Sequence, residues 1–264
     1  MAWISDWQVC AAASPVITVF ALRYDAGMSW FRLSLMLVFL IPGCDSAPQP
    51  TPPAESAPSV SPKTSLVLLK DDVVVDLDGD RVLVPAIVSL EEGWLEVIAC
   101  IAGTREHESI VVINATPSVI HAGLLLAGAK PGRPGGYDAE TGMPIPPTGD
   151  GIDVLLEWVD PDGGTKKSFE ITELIDSVTR VEELAYVFAG SRVAPNPPSL
   201  GPGEHYVADY AGTVVGLATF GDELIAAREV RSPEESVDPP AWKIRPGLLP
   251  SEGTEVEMVL KIRR

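Results

Sequence analysis

The sequence predicts an α+β domain: a largely antiparallel β-sheet with one or two packed helices, preceded by a signal segment and a Pro-rich tether. Three observations carry this. Apolar runs of strand length are joined by turn-forming residues, helical periodicity is confined to two places, and the chain before residue 65 has no composition that could fold with the rest. With 264 residues, 46% hydrophobic and 21% charged, the chain can bury one sizeable core.

The strands come first. "VVVDLDGDRVLV" places two apolar runs around Asp78-Gly79, a pair suited to a two-residue hairpin turn. Its aspartates lack the twelve-residue pattern and closing Glu of a calcium loop. "DVLLEWVDPDGGTKKSFEI" reads as a second hairpin around Pro-Asp-Gly-Gly. Further strands are expected at Trp94 to Ile101, Ser109 to Ala115, Tyr186 to Ala189, Thr213 to Thr219 and Glu255 to Ile262.

Thr116-Pro117 opens the first helix, with an N-cap residue followed by Pro at the first helical position, and the helix should run to about Ala127 and stop at Gly128. Ile171, Leu174, Ile175, Val178 and Val181 mark the stripe of a second helix. Of Cys10, Cys44 and Cys100, the last alone lies in the expected folded part, so no disulfide forms there. Its apolar run, "WLEVIACIAG", predicts a buried structural thiol.

Upstream, "MSWFRLSLMLVFLIPGCDS" has a short n-region with Arg32, an apolar run from Leu33 to Ile41, and then Gly43-Cys44. That is the layout of a secretory signal, and the run is too short to span a bilayer. "LIPGC" resembles a bacterial lipoprotein box, although Pro42 departs from the usual residue there. The resemblance implies that Cys44 is lipidated and becomes the new N-terminus. Residues 1–27 carry Asp6, Asp25 and a second apolar run, which predicts an extension called too early, with Met28 as the biological start. The alternative is a two-span hairpin, Trp7 to Ala21 and Leu33 to Ile41. Residues 45–64 are rich in Pro, Ser and Ala and predict a disordered tether, leaving residues 65–264 as a single globular domain.

The net charge of −18 excludes nucleic acid as a partner and any attraction to anionic headgroups. The expected partners are the membrane, through the lipid anchor, and an envelope protein or a small-molecule ligand.

One stretch gathers charged and nucleophilic groups. "TREHESI" holds Arg105, Glu106, His107, Glu108 and Ser109. If the first helix packs antiparallel to its strand, the loop after it returns Lys130 and Arg133 to this end of the sheet, completing a candidate binding cluster. The same geometry keeps His107 and His121 more than about 10 Å apart, too far to share one ion. Face alternation puts His107 and Ser109 on one side and Glu106 and Glu108 on the other, which works against a catalytic triad. Three roles remain open for the cluster: bracing the strand and the helix, binding a ligand or partner, and catalysis. His121 reads as a half-buried helix residue, and His205 as a loop or strand-edge residue. No catalytic residue, metal site or cofactor is assigned.

The runs "ACIAGTREHESIVVINATPSVIHAGLLLAGAKPG", "YVFAGS" and "HYVADYAG" resemble the YdjY-domain family of bacterial secreted proteins and lipoproteins over roughly Asp72 to Ile262. The resemblance implies the fold extent and an extracytoplasmic setting, and carries no established activity. Two functions stand: a lipid-anchored extracytoplasmic binding or interaction module, or a membrane-tethered enzyme such as a metal-assisted hydrolase using His107.

Overall fold

A computed structural model describes residues 65–160, 163–178 and 184–264. The expected leader, Cys44 and the tether lie outside these residues, as does Val181. Among the described residues, eleven strands share the main sheet: β1 (Leu66–Leu68), β2 (Val74–Asp76), β3 (Arg81–Val88), β4 (Val97–Ile101), β5 (Ser109–Ile113), β6 (Gly151–Val159), β7 (Lys166–Glu170), β8 (Tyr186–Val187), β9 (Thr213–Gly216), β10 (Ile225–Ala227) and β11 (Glu255–Ile262). Going around, β3, β11, β6, β8, β10, β9, β4 and β5 are neighbours in turn, and β5 pairs again with β3. The sheet therefore closes into a barrel.

The α+β expectation holds in part: the sheet is largely antiparallel, as expected, but it closes on itself and the helices are few. The fold is mostly β, with three short helices among the described residues: α1 (Pro117–Leu126), α2 (Ile171–Leu174) and α3 (Val207–Ala211). Most pairings are antiparallel, but β4 with β5 and β9 with β10 are parallel.

The strands explain their own positions. In β3, Val82, Val84, Ala86 and Val88 are buried and alternate with less buried residues, and Ile152, Val154, Leu156 and Trp158 do the same in β6. Period-two burial is what one covered face demands. β4 and β5 instead read as nearly continuous buried runs, as expected of strands covered on both faces. Ile98, Ile110, Leu156, Met258 and Leu260 join Ile120 and Leu124 of α1 in one buried cluster. Each such aliphatic side chain contributes about 1.5–3 kcal/mol.

Three local expectations change. Asp76 pairs with Arg81, so the first hairpin loop spans residues 77–80 and is no two-residue turn. The Asp76 carboxylate closes it, accepting from the Gly79 N–H (3.0 Å) and Arg81 Nε (2.9 Å). These two bonds, Gly79 first, hold its pKa below the usual range. The strand expected over Trp94 to Ile101 breaks at Glu96, because Trp94 and Leu95 leave to pair with Lys243 and Trp242.

The expected second helix is only α2, one turn held by a reciprocal capping box between Glu170 and Glu173. Ile175 then enters a strand, Ile175–Ser177, that pairs with Trp242–Ile244. Among the described residues no helix is long and apolar enough to cross a membrane.

Candidate functional site

Residues Glu106–Glu108 form a 3-10 turn that feeds β5, so face alternation does not apply to them. Ser109 is fully buried, its Oγ 2.8 Å from the Val111 carbonyl and 3.2 Å from that of Ile98. Enclosed and bonded, it cannot meet a substrate. The Glu106 carboxylate accepts the Gly103 N–H, which leads the causes of its lowered pKa. His107 projects outward, its side chain 78% exposed and Nε2 3.8 Å from Glu108.

Arg105 does the structural work of the stretch. Its Nη1 donates to Thr213 Oγ1 (2.6 Å) and to the Ala211 carbonyl (3.2 Å). Its guanidinium lies 4.0 Å from the centre of the Phe220 ring, within cation–π range. Glu108 stands 3.8 Å from Arg105 Nε, and beside it is Glu96, a half-buried acid that sequence reasoning missed. Burial first, then the charge and hydrogen bond of Glu108, raise the Glu96 pKa.

Lys130 and Arg133 do not join this cluster. An added Cβ on Gly123 would meet Val82 at 3.3 Å and Val75 at 3.4 Å, so α1 lies against β2 and β3. At its C-terminal end, the Ala127 carbonyl accepts from Arg264 (3.3 Å), and Arg264 pairs with Asp80 at the start of β3. The Ser109 end of β5 lies beyond the other end of β3, where Val88 faces Val111. At about 3.3 Å per residue, β3 separates the two places by roughly 25 Å. Beyond Val84 the flank of β3 passes from β5 to β2, and the apolar side of α1 packs there. The Lys130 N–H instead bonds Asp150 Oδ2 (2.9 Å), and the Arg133 N–H bonds Thr148 Oγ1 (3.2 Å).

The loop that carries Phe220 leads to a second group of buried polar residues. Glu223 is fully buried, with the N–H groups of Phe220 and Gly221 donating to Oε1 and no partner for Oε2 among the described residues. Burial pushes its carboxyl up to about 7. Ser191 ties this loop down: its N–H bonds the Glu223 carbonyl (2.9 Å) and its Oγ bonds the Asp222 carbonyl (2.6 Å). The same Oγ accepts the Ala208 N–H (3.1 Å) in α3. Ser191 holds φ at +51°, the left-handed region, to make these bonds together.

Next to it, Tyr206 Oη donates to the Gly190 carbonyl (2.9 Å) and lies 2.8 Å from His121 Nδ1. Tyr206 and His121 therefore share one hydrogen-bonded group around the Gly190 carbonyl. Burial lowers the His121 pKa and keeps the ring neutral. His205 stacks edge-on to Tyr210, away from this bond. Cys100 is fully buried and its thiol is pushed up by burial. Among the described residues no three His, Cys, Asp or Glu side chains converge as a metal-ligand set.

The YdjY domain family matches residues 73–261, well over half of the chain. The chain belongs to the YdjY-domain family. No curated protein and no solved structure matches it. In this YdjY domain the three segments that carry the resemblance meet: His121 from the first, Gly190 and Ser191 from "YVFAGS", and Tyr206 and Ala208 from "HYVADYAG". Gly212, which ends the third, packs on the first, since a Cβ there would lie 2.6 Å from Thr104. The one sequence signal for Glu223 is an acid set directly against the apolar run of "GDELIAA".

This geometry separates Arg105 from His107. Arg105→Ala should lower stability by about 2 kcal/mol, whereas His107→Ala should change it by no more than about 0.5 kcal/mol, as read from denaturant midpoints. A larger loss at His107 would contradict the arrangement.

A second prediction concerns Glu223. Its folded pKa of about 7 lies above the ordinary 4.5, so the folded chain holds a proton that the unfolded chain has released. The contribution of this group is therefore most favourable below about pH 4.5 and is lost as pH rises through 7. Glu223→Gln should flatten that slope and raise stability at pH 8 by up to about 3 kcal/mol, measured by denaturation at pH 5 and pH 8. Equal pH dependence in the two proteins would refute the assignment.

Proposed function

We propose that this YdjY domain is a lipid-anchored extracytoplasmic binding module, carried on Cys44 and held off the bilayer by residues 45–64. The observation that carries the reading is one of order: Arg32, the apolar run Leu33 to Ile41, Gly43-Cys44 and a Pro-rich tether follow one another directly. The first strand of the main sheet begins at Leu66, just past the tether. An acidic domain on such a stalk gains nothing from anionic headgroups, so attachment falls to the lipid.

Binding is favoured over hydrolysis by the way the polar side chains of "TREHESI" are used. Arg105 bonds β9 and the end of α3, Glu106 bonds its own turn, and Ser109 is sealed inside the barrel wall. His107 stands in solvent with no oriented nucleophile beside it among the described residues.

Expressed from Met28 in a bacterial host, the protein should fractionate with membranes and carry a lipid-modified Cys44 as its first residue by mass spectrometry. Cys44→Ser should leave the leader uncleaved or release the protein into the soluble fraction. A wild-type protein that is soluble and begins elsewhere would end this reading.

A further inference from the structure

One flank of β3 changes partner part-way along. Leu83 is the last residue paired with β2 and Ala86 the first paired with β5, so Val84 and Pro85 have no strand neighbour on that flank among the described residues. Asp71 and Asp72 ahead of β2 and Asn114 and Ala115 behind β5 border this gap. Asp71 ties the two segments together, accepting from the Thr116 N–H (3.1 Å) and from Thr116 Oγ1 (2.9 Å). From this wall a groove of about 580 Å³ crosses the outer face of β3, β11 and β6 to Lys166 at the start of β7. That volume is within the range of small-molecule sites.

The floor of the groove is apolar. Along β3 the buried residues alternate with outward ones, and the outward Pro85 and Ile87 are exposed, Ile87 to 38%. The rim is acidic. Asp71, Asp72, Glu157, Glu255 and Glu257 stand along it, against the one cation Lys166, whose Nζ already lies 2.6 Å from Glu157 Oε2. Strand register sets acids and floor on the same face: Pro85 is opposite Glu257, Ile87 is opposite Glu255, and Glu257 has Glu157 on its other side. Like charges directly opposite one another across a sheet are destabilising, and here one lysine serves two carboxylates.

These charges select the occupant of the groove. Five carboxylates and one paired cation, on a chain of net charge −18, repel an anion and attract a cation. A bare divalent ion does not suit them, because among the described residues no three acidic side chains converge as a metal-ligand set. A cation with a hydrocarbon part uses both features, its charge at the carboxylates and its chain on Pro85 and Ile87.

We propose that this groove on the outer face of β3, β11 and β6 binds a small organic cation, its charged group among Glu157, Glu255 and Glu257 and its hydrocarbon part on Pro85 and Ile87. The inference rests on the reading of the domain as a binding module and gives that module its site and ligand class. It does not depend on the lipid anchor, which fractionation of Cys44→Ser tests separately.

Calorimetric titration of the full chain with hexylamine provides the test. Hexylamine should bind saturably, hexanamide, a body of the same length without the charge, should not bind, and calcium at the same concentration should leave hexylamine in place. Glu257→Gln removes one of two facing carboxylates, so its denaturation midpoint should match or exceed the wild type while its hexylamine affinity falls about fivefold, the equivalent of one hydrogen bond. Glu255→Gln, at an exposed position, should lower the affinity in the same way. The proposal is overturned if hexylamine does not bind saturably, if hexanamide binds equally well, if calcium displaces hexylamine, or if either variant binds hexylamine as well as the wild type does.

Discussion

The pairing of β5 with β3 is the contact on which the rest of the structure depends. It joins Val111, Val112 and Ile113 to Val88, Ile87 and Ala86, and so turns a long sheet into a barrel. Without it, β5 would be an edge strand with unpaired backbone groups, and the inner faces of eight strands would lack a common interior. β3 can close the ring because its flank is shared, with β2 along its first half and β5 along its second. That sharing also places α1, whose apolar side settles where β2 replaces β5.

Closure sets the task of the polar residues. The turns that enter β5 and leave α3 must be held against each other, and Arg105 does so from β5 by reaching Thr213, Ala211 and the ring of Phe220. The loop behind Phe220 is then fastened by Ser191, which also holds the start of α3. Each bond contributes about 1 kcal/mol, but leaving one of these buried groups unpaired would cost more. Glu223 is the exception within this network, with one oxygen bonded twice and the other left without a partner among the described residues. Its burial makes the strength of the network depend on pH.

Local chemistry makes part of this legible in the amino-acid sequence. Thr116-Pro117 and Gly128 bracket α1 as expected, Gly128 taking φ +91° just past the helix. The Thr116 hydroxyl, however, bonds Asp71, and the Ser118 N–H at the start of the helix is taken instead by Asp209 Oδ1 (2.7 Å). The hairpin of β6 and β7 is readable because alternation and turn residues sit within one short segment. Closure is not, since a pairing such as Ala86 with Ile113 leaves no mark on neighbouring residues. The place of Lys130 and Arg133 is not legible either, because α1 packs on β2 and β3, a contact between distant segments. The stripe from Ile171 misleads for another reason: Ile175 is buried, but by a partner strand at Ile244 and not by a helix face. Tyr206 and Glu223 give little sign of their roles because their partners come from distant segments.

Amide hydrogen exchange tests the closure most directly. In a closed barrel the amides of Val111 to Ile113 sit between two partner strands, so they should exchange as slowly as those of Val82 and Leu156, which are also paired on both flanks. Exchange at Val111 to Ile113 as fast as in the outer strands Leu66–Leu68 and Lys166–Glu170 would mean that β5 is an edge and that the barrel does not close.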